Sequence, residues 1–253
     1  MTSAVSGLNI GCVKYLNARP LIEGCGCAMR FDHPAALARD LSRGALDVAL
    51  VPSYELFRNS GYKIVDGVSI SSEGEVRSVF VAYRGELARV RQISLDPASL
   101  TSTHLLKCLL AEFHQIDPEF LHEGGDAKLL IGNQALQFRR EQGTKFEYFD
   151  LGAEWTARTG LPFVYALWLV RDSVENASAV ADALRSAKIV GSKHIAQISE
   201  QQTVLPPADC VEYLTRNIHY DLRVGEKRGL EKFHELSVKH GFLKKARFSP
   251  TYV

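Results

Sequence analysis

The chain is predicted to fold as a two-lobed α/β protein that closes around a small anionic molecule. Strand-like apolar runs alternate with helical stretches along most of its length, the pattern of α/β architecture. Polar residues gather directly at the ends of the apolar runs, which is where open α/β sheets bind ligands. No internal repeat, low-complexity tract or flexible linker interrupts the sequence, so two lobes must be joined by structured crossings.

Residues 8–13 read as a first buried strand, and residues 34–43 as a helix ending at Gly44. The apolar run 47–51 is stopped by Pro52 and Ser53, and 76–83, rich in β-branched and aromatic residues, reads as a third strand. Residues 92–95 are strand-like, and 96–103 carry small polar residues into a helix over 105–113. Ala127–Ile131 is another buried strand, closed by Gly132. Residues 146–151 are extended, and 163–170 form a long apolar strand after Pro162. From 173 to 240 the pattern is mostly helical, broken near Pro206-Pro207 and Gly225. Crossings are expected at 79–85 and 165–172, giving one lobe of residues 1–84 plus 172–253 and a second of 85–171.

Composition narrows the function classes. The 253 residues are 46% hydrophobic and 23% charged, ordinary for a globular chain able to bury a large core. Thirty basic and twenty-nine acidic side chains leave a net charge of +1 with no long basic run, so nucleic acid is not expected as a partner. No stretch of about 18 apolar residues is present, so no membrane partner is expected. Residues 1–8 lack the layout of an export signal, which points to the cytoplasm. Five cysteines, Cys12, Cys25, Cys27, Cys108 and Cys210, have no zinc-like spacing and are expected as unpaired thiols.

Five strand ends carry the chemistry. After the first strand, Tyr15 offers a hydroxyl, Asn17 both donor and acceptor, and Arg19 a fixed fork for a carboxylate. After the second comes Ser53, a ligand group or an N-cap. The third junction holds Ser71, then Arg77 and Ser78. A cation entering a buried strand needs a partner, supplied by an acidic residue or by an anionic ligand. The fourth, Ser99-Leu100-Thr101-Ser102-Thr103, places hydroxyls and free N–H groups at a helix N-terminus, an anion-binding arrangement beyond what capping requires. At the fifth, Gly132 permits close backbone approach and Asn133 hydrogen-bonds without adding charge. Phosphate loops, dinucleotide fingerprints and nucleophile elbows are missing. None of the eight histidines clusters in a catalytic or metal-binding spacing, so neither a cofactor nor a metal is expected.

These junctions also carry a resemblance. Tyr15-Leu16-Asn17-Ala18-Arg19-Pro20-Leu21, Leu50-Val51-Pro52-Ser53-Tyr54-Glu55-Leu56 and Val76-Arg77-Ser78-Val79 resemble the signatures of the chorismate dehydratase family. That family acts first in the futalosine route to menaquinone. Leu130-Ile131-Gly132, Asp150-Leu151-Gly152-Ala153-Glu154-Trp155, Thr159-Gly160-Leu161-Pro162-Phe163-Val164 and Tyr213-Leu214-Thr215-Arg216-Asn217-Ile218 extend the match over nearly the whole chain. The resemblance implies a fold like the type II periplasmic binding proteins, with the ligand cleft between the lobes. It also implies cofactor-free conversion of chorismate to 3-[(1-carboxyvinyl)oxy]benzoate and water.

On that reading Asn17 and Ser78 are the catalytic pair, while Thr101 and Ser102 hold a carboxylate at the helix N-terminus. Tyr15, Arg19, Ser53, Ser71, Arg77 and Asn133 complete the binding set. Glu55 is a positional candidate for the general base, and the substrate's own side-chain carboxylate is the other. The family usually has Ser-Arg-Thr-Ser where this chain has Ser99-Leu100-Thr101-Ser102, and an acid where Asn133 stands. One positive and one negative charge are thereby absent, which leaves a shifted substrate preference open. The reading from another class is a non-catalytic binding protein for a small aromatic or cyclic carboxylate, since fold does not fix function.

Overall fold

The computed structural model describes residues 5–244 and 248–253; residues 1–4, part of the segment read for an export signal, lie outside them. The chain begins with β1 (Ile10–Val13), a short helix α1 (Arg19–Ile22) and β2 (Met29–Asp32). Then follow α2 (Pro34–Ser42), β3 (Val48–Pro52), α3 (Glu55–Arg58) and β4 (Tyr62–Ser72). Proline at the start of α2 suits a position whose N–H has no intrahelical acceptor. Leu37, Ala38 and Leu41 form its buried stripe.

The second group comprises β5 (Val79–Tyr83), β6 (Gln92–Ser94), α4 (Leu100–Leu109), β7 (Glu119–Leu121), β8 (Ala127–Ile131), α5 (Gly132–Gln142), β9 (Glu147–Asp150) and α6 (Leu151–Thr159). After it, β10 (Phe163–Arg171) returns the chain to the first group. Helices α7 (Ala177–Lys193), α8 (Ile195–Gln201), α9 (Pro207–Glu212) and α10 (Val224–Lys239) and the strand β11 (Thr251–Tyr252) complete it.

Two sheets result. The first has the order β11-β4-β10-β3-β1-β2 and the second β7-β6-β8-β5-β9. In the first, β1 runs parallel to β2 and β3, while β10 is antiparallel to both β3 and β4. β10 is buried along almost its whole length because both of its edges are paired and helices cover it. Removing Leu167, Leu169 and Val170 from water contributes about 1.5–3 kcal/mol each. In the second sheet one face carries α4 and α6. The other carries α5 over a small cluster of Phe80, Ala82, Leu130 and Ala135.

The two-lobed α/β expectation describes these two sheets, but three expectations need correction. Val79–Tyr83 pairs with β8 and β9, and Phe163–Arg171 with β3 and β4. The chain therefore passes between sheets ahead of each strand, at 73–78 and, after α6, at 160–162, rather than at 79–85 and 165–172. Residues 79–83 go with the second sheet and 163–171 with the first, in contrast to a division at 84/85 and 171/172. The strand expected over 76–83 starts only at Val79, because Arg77 adopts φ 61° and turns the chain. Finally, Cys25 and Cys27 are joined as a disulfide, while Cys12, Cys108 and Cys210 are free and buried. Gly26, at φ 63°, folds the chain back so that the two Cα atoms lie 5.4 Å apart, within disulfide range.

Among the described residues, no helix is long and apolar enough to cross a membrane.

Candidate functional site

Three chain ends meet between the sheets: the turn Tyr15–Asn17 after β1, the first turn of α4, and the β8–α5 junction at Gly132. With Ser78 and Tyr165 they line a cavity of about 70 Å³. Its aliphatic wall comes from strand residues such as Val13, Leu50 and Ile70. Among the described residues, every polar group on the wall is uncharged, with no Arg, Lys, His, Asp or Glu lining it.

The first turn of α4 supplies the strongest polar feature. Leu100, Thr101 and Ser102 are its first three residues, so their N–H groups have no acceptor within the helix. The aligned peptide dipoles add about half a positive charge at that end. Thr101 Oγ1 accepts from the Tyr54 N–H at 3.1 Å and lies 3.4 Å from Ser53 Oγ. Ser53 donates its only proton to the Val164 carbonyl at 2.7 Å. The Thr101 proton is therefore left for the cavity or for Ser53. Ser99 Oγ and Asn17 Oδ1 are both buried without a hydrogen-bond partner. A ligand in the cavity would satisfy both, and an unsatisfied buried polar atom costs about 1–3 kcal/mol.

Opposite stands Ser78. Its Oγ accepts from the Tyr213 hydroxyl at 2.8 Å, which leaves its own proton to donate. Burial pushes the Tyr213 phenol well above its ordinary value, against the opposing effect of its hydrogen bonds with Ser78 and Asn17, so Tyr213 stays a neutral donor. The Ser78 N–H donates to the Val76 carbonyl at 2.7 Å, closing a three-residue turn around Arg77. A left-handed arginine is strained unless its surroundings over-determine it. Asp150 does so, accepting from the N–H groups of Val76 (3.1 Å) and Arg77 (2.8 Å). The same carboxylate caps α6 through Gly152 and Ala153, each at 3.0 Å. Burial lifts the Asp150 carboxyl above its ordinary range even against these donors. One buried side chain thus ties α6 to the turn that aims Ser78 inward.

Tyr15 packs its ring on Gly132, where an added Cβ would lie 2.9 Å from the ring. Burial, and secondarily the charge of Asp96, pushes its phenol up to about 12. Tyr165, buried, lies 3.0 Å from Ser72 Oγ, and burial raises its phenol well above the ordinary value. Both present neutral hydroxyls at neutral pH.

Of the residues expected from sequence, Tyr15, Asn17, Ser78, Thr101 and Ser102 line the cavity together. Ser53 stands behind it, supporting Thr101. The others lie elsewhere. Ser71 donates to the His219 carbonyl at 3.2 Å and fastens β4 to the tail. Arg19 pairs with Glu23 at 3.9 Å, one helical turn on. Arg77, turned by its own backbone, lines an outward cavity with Arg139 and Arg140. Asn133 Oδ1 accepts from the Leu16 N–H at 2.8 Å, so it latches α5 to the turn after β1 instead of facing the cavity. An aspartate there would accept the same bond. Glu55, the positional base, is buried on α3 and held by Asn59 and Tyr62.

Sequence reasoning missed Ser99 and Tyr165 as lining residues and Asp150 and Tyr213 as the supports of Ser78. Ser99 was within reach, since it opens the hydroxyl-rich run. Asp150 is marked locally only as the N-cap of α6; its bonds to the turn at Arg77, like the partners of Tyr165 and Tyr213, lie 70 or more residues away.

Comparison with known proteins places these features in context. The profile of a family described as Menaquinone biosynthesis matches residues 8–239. A chorismate dehydratase of Thermus thermophilus is 30% identical over 258 residues, covering 89% of this chain and 93% of that protein. A chorismate dehydratase of Campylobacter jejuni is 29% identical over 221 residues, covering 87% and 88%. Among solved structures, a Candida albicans protein described as having the generic periplasmic binding protein fold superposes with a TM-score of 0.65. It shares 10% identity and the match covers 95% of this chain and 92% of that one, a likeness of fold alone.

Proposed function

The chain belongs to the menaquinone biosynthesis family, and on that premise we propose that it is a chorismate dehydratase, converting chorismate to 3-[(1-carboxyvinyl)oxy]benzoate and water. The observation that carries this reading is the cavity itself: a helix N-terminus, free hydroxyls and two unpartnered buried oxygens face one another across an apolar slot. Chorismate has two carboxylates, a ring hydroxyl and an apolar ring face, and each finds its counterpart there.

In this reading one carboxylate sits on the N–H groups and hydroxyls of Thr101 and Ser102. Asn17 and Ser78 hydrogen-bond the other end of the molecule, where the hydroxyl leaves. Loss of water aromatises the ring, so the protein has chiefly to orient the substrate, stabilise developing charge and keep bulk water out. Among the described residues, no side chain of the wall is an ordinary general base. The reading therefore assigns proton removal to the substrate's own side-chain carboxylate, which the site aims at the ring. Ligand pockets usually start at about 300 Å³, against about 70 Å³ here. Substrate entry accordingly requires the walls to move apart.

Purified protein incubated with chorismate is expected to release a product lighter by one water, followed by absorbance and mass. Unchanged chorismate accompanied by saturable thermal stabilisation would instead identify a binding protein.

A further inference from the structure

A larger opening adjoins the cavity. It measures about 610 Å³, lies between α2 and α3 on one side and the β6–α4 corner on the other, and shares Ser99 and Leu100 with the cavity wall. Arg39, Arg43 and Arg58 line it from the α2–α3 side. Arg39 is engaged by Asp40 at 3.1 Å. Arg43 and Arg58 are exposed, and among the described residues neither is ion-paired with a carboxylate. Two acids share the groove with these three arginines, and Asp96 offsets part of their charge without cancelling it. Glu55 is 2% exposed and hydrogen-bonded to Asn59 and Tyr62, and burial favours its neutral form. Asp96 accepts from the Ala98 N–H and the Gln134 amide.

The physical argument concerns range. The cavity offers an anion only dipoles, and the influence of a helix end fades within about one turn. Full charges in a groove walled by protein reach further and raise the local concentration of counter-ions. Ser99 stands on the boundary of the two spaces, 5% exposed, its hydroxyl without a partner. We infer that the groove is the entry vestibule for a dicarboxylate substrate: Arg43 and Arg58 draw the anion to the cleft, and Ser99 receives it beside Leu100 at the cavity's edge. The inference rests on the dehydratase reading, which makes the ligand a dianion.

The test is kcat/KM for chorismate as a function of salt. The Arg43→Ser/Arg58→Ser variant is expected to lose about tenfold in kcat/KM at low ionic strength, with kcat unchanged. The deficit closes to within about twofold near 0.5 M salt, where charges are screened within a few ångströms. Lysine at both positions restores the rate, because steering requires charge and not a guanidinium. Arg91→Ser/Lys193→Ser removes two exposed cations outside the groove and stays at the wild-type rate. Equal losses in both serine variants, a deficit that persists at high salt, or failure of the lysine pair to restore the rate overturns the vestibule and leaves the dehydratase reading intact. Wild-type protein that leaves chorismate unchanged overturns both.

Discussion

Alanine at both Asn17 and Ser78 is expected to lower chorismate turnover by at least about 10²-fold, the scale on which removal of aligned transition-state hydrogen bonds acts. The two side chains face the same cavity from opposite elements, one in the turn after β1 and one ahead of β5. Each brings an unspent hydrogen-bonding function to it, the Oδ1 acceptor of Asn17 and the Ser78 proton. Ser78→Ala also takes away the acceptor of the buried Tyr213 hydroxyl, which costs about 1–3 kcal/mol of stability. Tyr213→Phe separates the two effects. It removes the same bond but leaves the Ser78 hydroxyl in the cavity, and should retain most of the turnover. Steady-state kcat and the thermal midpoint of each variant decide the matter. Full activity in the double variant would remove both residues from the reaction, and equal losses in Ser78→Ala and Tyr213→Phe would reduce Ser78 to a structural role.

The second large effect falls on stability. Asp150→Ala should destabilise the fold by at least about 3 kcal/mol, because four backbone N–H groups lose their acceptor at a site only 8% exposed. Two of the four begin α6, and the other two hold the left-handed turn at Arg77. Asp150→Asn keeps one acceptor oxygen and should fall between the two. Urea unfolding measures both variants. Because Asp150 positions Ser78 through that turn, Asp150→Asn should lower turnover even where the protein remains folded. A denaturation midpoint for Asp150→Ala equal to that of wild type would show that the carboxylate does not hold these elements.

Much of the fold is legible in the sequence wherever apolar runs end at a proline or glycine, as β3 ends at Pro52 and β8 gives way to Gly132. β4 was not read as a strand, because its serines and Gly67 break the apolar run that marks the other strands. The polarity of those serines is met by tail residues such as His219 and Asp221, about 150 positions on. Arg77 was legible as a cation needing an explanation, but its direction is set by Asp150, 73 residues away. The same limit governs the site. Tyr15, Asn17, Ser78, Thr101 and Ser102 were found because strand ends and a helix start mark them locally. Asn133 was misplaced because a local pattern cannot tell a group that reaches ligand from one that latches another segment. Positive charge was sought inside the cavity at Arg19 and Arg77, whereas the fold leaves both outside it and meets an anion there with N–H groups and hydroxyls.

That last point is the centre of the account, and a crystal structure grown with 3-[(1-carboxyvinyl)oxy]benzoate tests it most directly. The prediction is density between the sheets, with one carboxylate about 3 Å from the N–H groups of the first turn of α4 and the opposite end beside Asn17 and Ser78. Density instead in the outward cavity of Arg77 and Arg139, or with both carboxylates on arginines, would contradict it.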